Sequence, residues 1–292
     1  MTKEFGYTWE QAVEMLRNDP QYQKLIYDSY LTSDLADNCH RFYASTEFVE
    51  VLRLISELSP GATKVLDMPA GNGIAAYAFA KSGFEVVAIE PDPSPSVGSS
   101  AIAYIREKEG LAKLHIISAY GENLPCEDEE FDLVYIRQGL HHARDLRQMV
   151  SEAVRVTKRG GLIIAAREPV VDDYQQGLQT FLDAQPDHQL YGGENAFTHR
   201  DYLSAFQLKQ VRLLHDLGPY DSIINLAPGS FASLKSMLLN SRTGRILKRV
   251  LPSALVYRLG ISVLKIHYKE QGRLYTFVAR RNENGTLRRA AL

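Results

Sequence analysis

Cysteine is scarce in this chain. Cys39 and Cys126 are the only two among 292 residues, and they lie too far apart for a disulfide framework or a zinc-ligand spacing. Two thiols are also too few for the iron–sulfur cluster that radical chemistry requires. No run reaches the roughly 18–20 uninterrupted apolar residues of a membrane-spanning helix. The first residues lack the basic start and apolar run of a signal peptide, so the sequence predicts a cytoplasmic protein.

An excess of positive charge is absent as well. The formal net charge is −2, which argues against a protein that coats nucleic-acid phosphates. No Asn/Asp-Pro-Pro-Tyr-type motif for a flipped base follows the fourth predicted strand, so nucleic acid is not an expected partner. Apolar material is plentiful, because 45% of the residues are hydrophobic, and this is enough for a sizeable core. Nothing in the sequence sets the number of subunits.

Strand and helix patterns alternate through the middle of the chain. The strand candidates, in order, are residues 64–67, 85–90, 114–118, 131–136, 162–167, 211–214 and 274–279. Helix-length segments separate the first five, which indicates βαβ units and a parallel sheet covered on both faces. Residues 1–59 have helical periodicity and are predicted to form an N-terminal helical cap. The α/β domain is predicted to follow over residues 60–292.

The most informative segment is VLDMPAGNG, residues 65–73, in which a strand ends at Asp67 and turns through glycines into a helix. Glycine lets a ligand approach the backbone where a Cβ would clash, and the helix N-terminus offers unpaired N–H groups. Glu90 ends the next strand and can accept hydrogen bonds from both hydroxyls of a ribose. The sequence therefore predicts a ribose-containing ligand above the carboxyl ends of parallel strands.

Two classes of cofactor fit this loop. Gly71, Gly73 and Ala76 satisfy a loose dinucleotide fingerprint, which keeps an NAD(P)-dependent oxidoreductase as an alternative. Asp67 distinguishes the two, because a carboxylate opposes a pyrophosphate but attracts the ammonium and sulfonium groups of S-adenosylmethionine. The pattern thus favours S-adenosylmethionine. A plain turn in which Asp67 only caps the helix is a further alternative.

Four ordered motifs resemble the class I S-adenosylmethionine-dependent methyltransferases, specifically the broad small-molecule group. They cover roughly residues 60–168 and are VLDMPAGNG, AIEPD, GENLPCEDEEFDLV and GLHHARDLRQMVSEAVRVTKRGGLIIAAREP. The resemblance implies a Rossmann-like, seven-stranded, mostly parallel sheet of order 3-2-1-4-5-7-6, with the last strand antiparallel and helices on both faces. Residues 60–292 would then be a methyltransferase domain. A helical insertion would separate strands six and seven.

The function implied by the resemblance is methyl transfer from S-adenosylmethionine to a small molecule, with a hydroxyl of a sugar or secondary metabolite as the expected acceptor. A non-catalytic S-adenosylmethionine-binding protein is another alternative. Pro69 replaces the usual first glycine of the loop, and Tyr120 stands where an adenine-binding Asp is common. The residues expected to contact the cofactor are Asp67, Pro69, Ala70, Gly71, Gly73, Glu90, Pro91, Tyr120, Gly121, Glu122, Arg137 and, as a lid residue, Tyr43.

The catalytic candidates follow strands four and five. Methyl transfer requires the nucleophile, the methyl carbon and sulfur in line, and a hydroxyl nucleophile also needs a base. His141 and His142 follow the fourth strand, and either can accept such a proton because histidine titrates near neutrality; His142 is the preferred candidate. Both histidines could instead have a structural or cofactor-packing role. Glu168 ends the fifth strand and is the second candidate base or substrate ligand, unless it pairs with Arg137 or Arg167.

Substrate contacts are expected beyond the fifth strand. Residues 170–206 are predicted to form helices on the substrate side, joined by a polar, glycine-rich loop. Tyr191, Glu194 and Asn195 of this loop are candidate substrate ligands, although the loop could simply connect two helices. Asp221, after the sixth strand, is a further candidate. No metal is expected.

Charge is distributed unevenly in the insertion predicted over residues 217–272. Between Ser222 and Lys269 there is no Asp or Glu, and the eight basic residues there are Lys235, Arg242, Arg245, Lys248, Arg249, Arg258, Lys265 and Lys269. Three explanations are open: the insertion faces an anionic acceptor, residues 244–266 lie on an anionic membrane surface, or the charges meet acids elsewhere, such as those of residues 127–130.

Overall fold

The computed structural model describes residues 6–283, so the outer ends of the segments predicted at 1–59 and 60–292 lie outside the described residues. The strands are β1 (Lys64–Asp67), β2 (Glu85–Ile89), β3 (Leu114–Ile117), β4 (Phe131–Arg137), β5 (Thr157–Val171), β6 (Phe197–Thr198), β7 (Val211–Leu217) and β8 (Arg273–Arg281). The α-helices are α1 (Trp9–Asn18), α2 (Gln23–Asp28), α3 (Leu35–Tyr43), α4 (Thr46–Leu58), α5 (Ile74–Lys81), α6 (Ser99–Glu109), α7 (Leu146–Val156), α8 (Gln176–Asp183), α9 (His188–Tyr191), α10 (His199–Ala205), α11 (Ile223–Leu226), α12 (Phe231–Asn240), α13 (Arg242–Leu247) and α14 (Ser253–His267). Two 3₁₀ turns span Pro20–Tyr22 and Leu140–His142.

These strands form one sheet of order β3-β2-β1-β4-β5-β8-β7, with β6 pairing with β5 off this path. The first five strands pair in parallel, whereas β8 runs antiparallel to both β5 and β7. The predicted α/β class, strand order and antiparallel last strand are confirmed, with β7 and β8 as the predicted sixth and seventh strands. The parallel strand β6 was not predicted, because two residues are too few to show a period.

Each face of the sheet carries its own hydrophobic core, because successive strand residues point to opposite faces. In β1, Val65 packs into the core beneath α3–α6, and Leu66 packs into the core beneath α7 and α10. Phe48 and Val51 of α4 are fully buried in the first core. The last helix of the predicted cap is therefore a layer against the sheet. The division of the chain at residues 59 and 60 stays a prediction.

The remaining helices lie outside this sandwich. α1 and α2 share a small core with Val97, which precedes α6, so they sit near the carboxyl ends of β1 and β2. Between β7 and β8, the helices α12, α13 and α14 pack mainly on one another. Within residues 6–283, no helix has the combined length and apolar character needed to cross a membrane. The cytoplasmic location stays a prediction.

Candidate functional site

A cavity of about 690 Å³ opens at the carboxyl ends of β1, β2 and β4. Asp67 ends β1, Glu90 follows β2 and Arg137 ends β4, and all three line the cavity. The chain order reverses between β1 and β4, and such a switch point opens a crevice above a parallel sheet. The volume lies within the range of about 300–1,000 Å³ typical of small-molecule sites.

Most residues predicted to contact a cofactor line this cavity: Asp67, Pro69, Ala70, Gly71, Glu90, Pro91, Tyr120, Gly121, Glu122 and Arg137. Gly73 and Tyr43 do not. Gly73 instead caps α5 at φ 84°, where glycine is favoured, and an added Cβ would lie 2.9 Å from the Ile102 side chain. Tyr43 is 39% exposed and packs on Phe48 and Tyr77, so it is not a lid over this cavity.

The N-terminal helices supply a wall that the sequence did not predict. The apolar residues that α1 and α2 contribute to the lining are Trp9, Leu16, Leu25 and Ile26. The Trp9 ring lies 5.0 Å from the Tyr191 ring, so α1 meets α9 beside the cavity. Helical periodicity shows that α1 and α2 have apolar faces, but it does not reveal which surface those faces cover.

Asp67 is the least satisfied group of the site. It is 1% exposed, and its Oδ2 atom is buried without a hydrogen-bond partner. Burial raises the pKa of Asp67 to about 8. A cation bound beside Oδ2 would supply the missing partner and favour the ionised carboxylate. The environment of Asp67 therefore fits the positively charged amino-acid part of S-adenosylmethionine.

Glu90 links the glycine loop to the end of β2. The Gly71 N–H donates to Oε2 at 2.7 Å, and the Asp92 N–H donates to Oε1 at 2.9 Å. Burial raises the pKa of Glu90 to about 7. Each carboxylate oxygen has two lone pairs, so both oxygens can still accept a hydroxyl from the cavity. Glu90 fits the diol of a ribose.

A buried ion pair holds the end of β4. Arg137 donates from Nε and Nη2 to the two carboxylate oxygens of Glu47 in α4, at 2.6 and 3.1 Å. Although burial acts in the opposite direction, Arg137 lowers the pKa of Glu47. Arg167 lies 3.8 Å from the same carboxylate and donates to two backbone carbonyls at α11 and its end. The suggested pairing of Glu168 with Arg137 or Arg167 is therefore wrong.

Glu168 is fully buried and does not line the cavity. Its Oε1 accepts the N–H groups of Gly139 and Leu140 at 2.9 and 3.0 Å, and its Oε2 accepts the His141 N–H at 3.1 Å. A register shift in β5 beside Arg167, which has φ 62°, precedes Glu168. The side chain thereby lies under the turn after β4. Glu168 thus positions this turn, which corrects the prediction that it is a base or substrate ligand.

Replacement of Glu168 by alanine is expected to destabilise the protein by about 3–5 kcal/mol, because several buried donors would lose one charged acceptor. Urea unfolding of the purified variant measures this change. Glu57→Ala removes a carboxylate whose side chain is 56% exposed on α4, and this control should stay within about 0.5 kcal/mol of the parent. A loss below about 1 kcal/mol for Glu168→Ala would show that the turn does not depend on this carboxylate.

His141 and His142 occupy opposite protonation environments. His141 Nδ1 lies 3.1 Å from Glu168 Oε2, and its Nε2 lies 3.4 Å from Glu194 Oε2. Although burial opposes the charge, these carboxylates raise the pKa of His141 to about 9, so it holds its proton at neutral pH. Desolvation against the cavity wall, although the residue stays exposed at its edge, and the adjacent His141 cation lower the pKa of His142 to about 4. Of the two, only His142 is a neutral acceptor at neutral pH.

The tautomer of His142 follows from its neighbour. His142 Nδ1 lies 3.3 Å from the carbonyl oxygen of Gly193. The tautomer that donates from Nδ1 to this carbonyl leaves Nε2 as a proton acceptor. His142 lines the cavity, so a hydroxyl bound there can donate its proton to the unprotonated Nε2.

The two histidines and Glu194 form a compact cluster, with one potential ligand atom of each within 4.8 Å of the others. Hydrogen bonds account for this arrangement. The Tyr191 hydroxyl donates to Glu194 Oε1 at 2.7 Å, and the proton on His141 Nε2 faces Oε2. The expectation that no metal is bound stays a prediction.

The predicted substrate residues separate into two groups. Tyr191 and Glu194 line the cavity on the same side as His142, whereas Asn195 does not line it. Asp221 also lies outside the lining. It accepts the Gly218 N–H at 2.8 Å and pairs with Lys265 of α14, so it closes its own turn rather than facing the cavity.

Sequence reasoning missed other residues of the lining. Gln185 and Asp187 stand on the wall that carries Tyr191, and burial together with Glu194 raises the pKa of Asp187 to about 6. Their polar segment has no pattern that distinguishes it from a connecting loop. Gly139 also lines the cavity, and a Cβ there would lie 2.3 Å from Pro69 Cδ. The GLHH motif signals a glycine here, but only the packing explains it.

Known proteins share the central part of this chain. A family model described as a methyltransferase domain matches residues 66–165. The chain is 31% identical over 130 residues to "Uncharacterized methyltransferase YcgJ" of Bacillus subtilis (strain 168), a match covering 43% of this chain and about half, 49%, of that protein. It is 30% identical over 170 residues to the demethylmenaquinone methyltransferase of Corynebacterium urealyticum, covering 57% of this chain and 69% of that protein.

A solved structure extends the likeness of fold. The geranyl diphosphate C-methyltransferase of Streptomyces coelicolor A3(2), solved with Mg²⁺, geranyl diphosphate and S-adenosyl-L-homocysteine, has a TM-score of 0.54 to this chain. The sequences are 14% identical, and the match covers 97% of this chain and 91% of that one. At this identity the likeness concerns the fold alone.

Proposed function

Because this chain belongs to the class I S-adenosylmethionine-dependent methyltransferases, we propose that it transfers a methyl group from S-adenosylmethionine to a hydroxyl of a small, uncharged, partly apolar molecule. The observation that carries the proposal is the buried, unpartnered Oδ2 of Asp67 in the same cavity as Glu90. One carboxylate lacks a cation and the other can hold a diol. S-Adenosylmethionine carries both complements.

The cofactor would occupy the β1–β2 side of the cavity and would supply an electrophilic methyl group. Asp67 would attract its charged amino-acid part, and Glu90 would accept its two ribose hydroxyls. The Gly71 N–H would still donate to Glu90, and this hydrogen bond holds the loop against the end of β2. The residues Tyr120, Gly121 and Glu122, which follow β3, would border the adenine.

The acceptor would lie beside Tyr191, Glu194 and His142. The carboxylates of Asp187 and Glu194 stand on this wall, and they would repel the anionic acceptor that the sequence left open. The apolar wall from α1 and α2 favours a hydroxylated secondary metabolite over a sugar. The relative named demethylmenaquinone methyltransferase is consistent with an acceptor of this partly apolar kind.

His142 would remove the proton of the acceptor hydroxyl. Its neutral imidazole has an acceptor nitrogen, whereas His141 carries its proton between two carboxylates. His141 would instead hold Glu194 in place, and Glu168 would hold His141. The cavity would contribute chiefly by alignment, since orientation alone can lower a barrier by about 7–11 kcal/mol.

Calorimetry with S-adenosylhomocysteine and with NADH tests the cofactor, and an assay with methyl-labelled S-adenosylmethionine tests the reaction. We expect S-adenosylhomocysteine to bind and NADH not to bind, because the pyrophosphate of NADH offers no cation to the buried Asp67 carboxyl group and would be repelled by its ionised form. Label should reach hydroxylated aromatic or quinol acceptors rather than sugars or carboxylates. Binding of NADH alone would establish the oxidoreductase alternative. Tight binding of S-adenosylhomocysteine without turnover of any acceptor would establish the non-catalytic alternative.

A further inference from the structure

Most basic residues of the insertion neither line the cavity nor form ion pairs with acids of the described residues. None of the eight between Ser222 and Lys269 lines the cavity. Within residues 6–283, only Lys265 among them forms an ion pair, with Asp221. Of the acids suggested as partners, Asp128, Glu129 and Glu130 pair elsewhere, with Arg155, Arg159, Arg281 and Lys64. Within the described residues, acids elsewhere therefore account for Lys265 alone among the eight, and the suggested pairing with residues 127–130 is wrong.

The same segment exposes large apolar side chains. Along α14 they recur at helical spacing and form one stripe, with exposed fractions of 41%, 44%, 55% and 68% for Leu255, Leu259, Val263 and Ile266. Val256 is buried, so α14 packs against α12 and α13 through a different face. Ile246 and Val250, at and after α13, are 57% and 76% exposed.

Exposed basic and apolar side chains therefore occur together on α13 and α14, which pack on each other, and we call this set the insertion surface. It consists of the six apolar residues just named together with Arg245, Lys248, Arg249 and Arg258, all of them exposed. Residues 222–269 include no acid that would neutralise it. An exposed apolar stripe with a basic flank matches a helix that lies in the interface of an anionic bilayer.

We propose that the insertion surface docks this protein on an anionic lipid membrane. Leu255, Leu259, Val263 and Ile266 enter the acyl boundary, while the basic side chains contact lipid phosphates. A second copy of the chain would bring the same positive charges face to face, and a nucleic acid would leave the apolar stripe in water. The docking does not depend on the proposed acceptor, although a partly apolar acceptor would be accessible at such a surface.

Flotation of the full chain with vesicles tests the proposal. We expect binding to phosphatidylcholine vesicles that contain phosphatidylglycerol, little binding to pure phosphatidylcholine, and weaker binding as salt increases. Two variants remove the two components separately: Leu259→Glu with Val263→Glu, and Arg245→Ser with Lys248→Ser and Arg249→Ser. Each variant should lower the vesicle affinity at least about tenfold, because the free energy of membrane binding lost with the removed apolar or basic groups exceeds that of a tenfold change.

Matched controls change the same chemistry elsewhere on the surface. Val49→Glu with Tyr104→Glu replaces two side chains that are 59% and 51% exposed. Arg106→Ser with Lys108→Ser and Lys113→Ser removes three positive charges near α6 and β3. Both controls should bind vesicles like the parent, because neither alters the insertion surface.

Three outcomes would overturn the proposal. These are that the parent does not bind phosphatidylglycerol vesicles, that both insertion variants bind them as tightly as the parent does, or that the control variants lose as much affinity as the insertion variants. Light scattering that shows a dimer broken by Leu259→Glu with Val263→Glu, without vesicle binding, would assign the surface to a second copy. Calorimetry with S-adenosylhomocysteine should give the same affinity for all variants, since the insertion does not line the cavity. A failure of vesicle binding is thereby separated from a failure of the proposed cofactor site.

Discussion

Replacement of Glu90 by alanine is expected to lower the affinity for S-adenosylhomocysteine about 100-fold or more. Hydrogen bonds from two ribose hydroxyls to a carboxylate contribute about 1.5–3 kcal/mol each. A loss of about 3 kcal/mol corresponds to roughly a 100-fold change in dissociation constant. Glu90 also accepts the N–H groups of Gly71 and Asp92, so its removal loosens the loop that faces the ligand. Isothermal calorimetry at neutral pH measures the effect.

A cofactor analogue separates the diol contact from the loop. The 2′,3′-dideoxy analogue of S-adenosylhomocysteine lacks the hydroxyls that Glu90 would accept. The parent should lose affinity for this analogue, whereas Glu90→Ala should bind both ligands about equally. A variant that still prefers the diol would show that another group recognises the ribose. Urea unfolding of Glu90→Ala verifies that the protein remains folded.

Replacement of His142 by glutamine is expected to lower kcat about 10²–10⁴-fold, the usual contribution of a positioned general base. The variant should leave the KM for S-adenosylmethionine nearly unchanged, because proton removal belongs to the chemical step. His115→Gln is the matched control, since His115 is exposed on β3 and does not line the cavity. A rise in KM with unchanged kcat would assign His142 the cofactor-packing role instead.

The pH dependence gives an independent readout of the same residue. The pKa of His142 is lowered to about 4, so the neutral, proton-accepting form predominates at higher pH. At saturating cofactor and acceptor, kcat of the parent should fall as the pH drops through this value, because the imidazole becomes charged. In His142→Gln, whose kcat is much lower, kcat should no longer fall over this acidic range of pH. Persistence of the fall in the variant would mean that a different group titrates.

Local pattern was sufficient for the framework of the site. Apolar strands bounded by glycine and acid placed Asp67 and Glu90 at neighbouring strand ends, and both line the cavity. The motif order implied the sheet that is observed, with the antiparallel β8. These features depend on residues close together in sequence or on ordered motifs, so a single chain can reveal them.

Side-chain direction and protonation required the folded chain. A shift in β5 turned Glu168 under the β4 turn, and Trp9 rather than Tyr43 came to line the cavity. Nothing in the dipeptide His141-His142 distinguishes its two imidazoles.

The sequence alone determined the class of fold, the carboxylates at the ends of β1 and β2, and the charge excess of the insertion. Each of these follows from local periodicity, the order of motifs or the composition of one segment. Only the tertiary structure decided which histidine is neutral, which acid is buried and which helices enclose the cavity. The pKa of His141 depends on Glu168 and Glu194, which are remote in sequence and adjacent in space. Burial and charge act over distance in the fold, and that distance is set by packing.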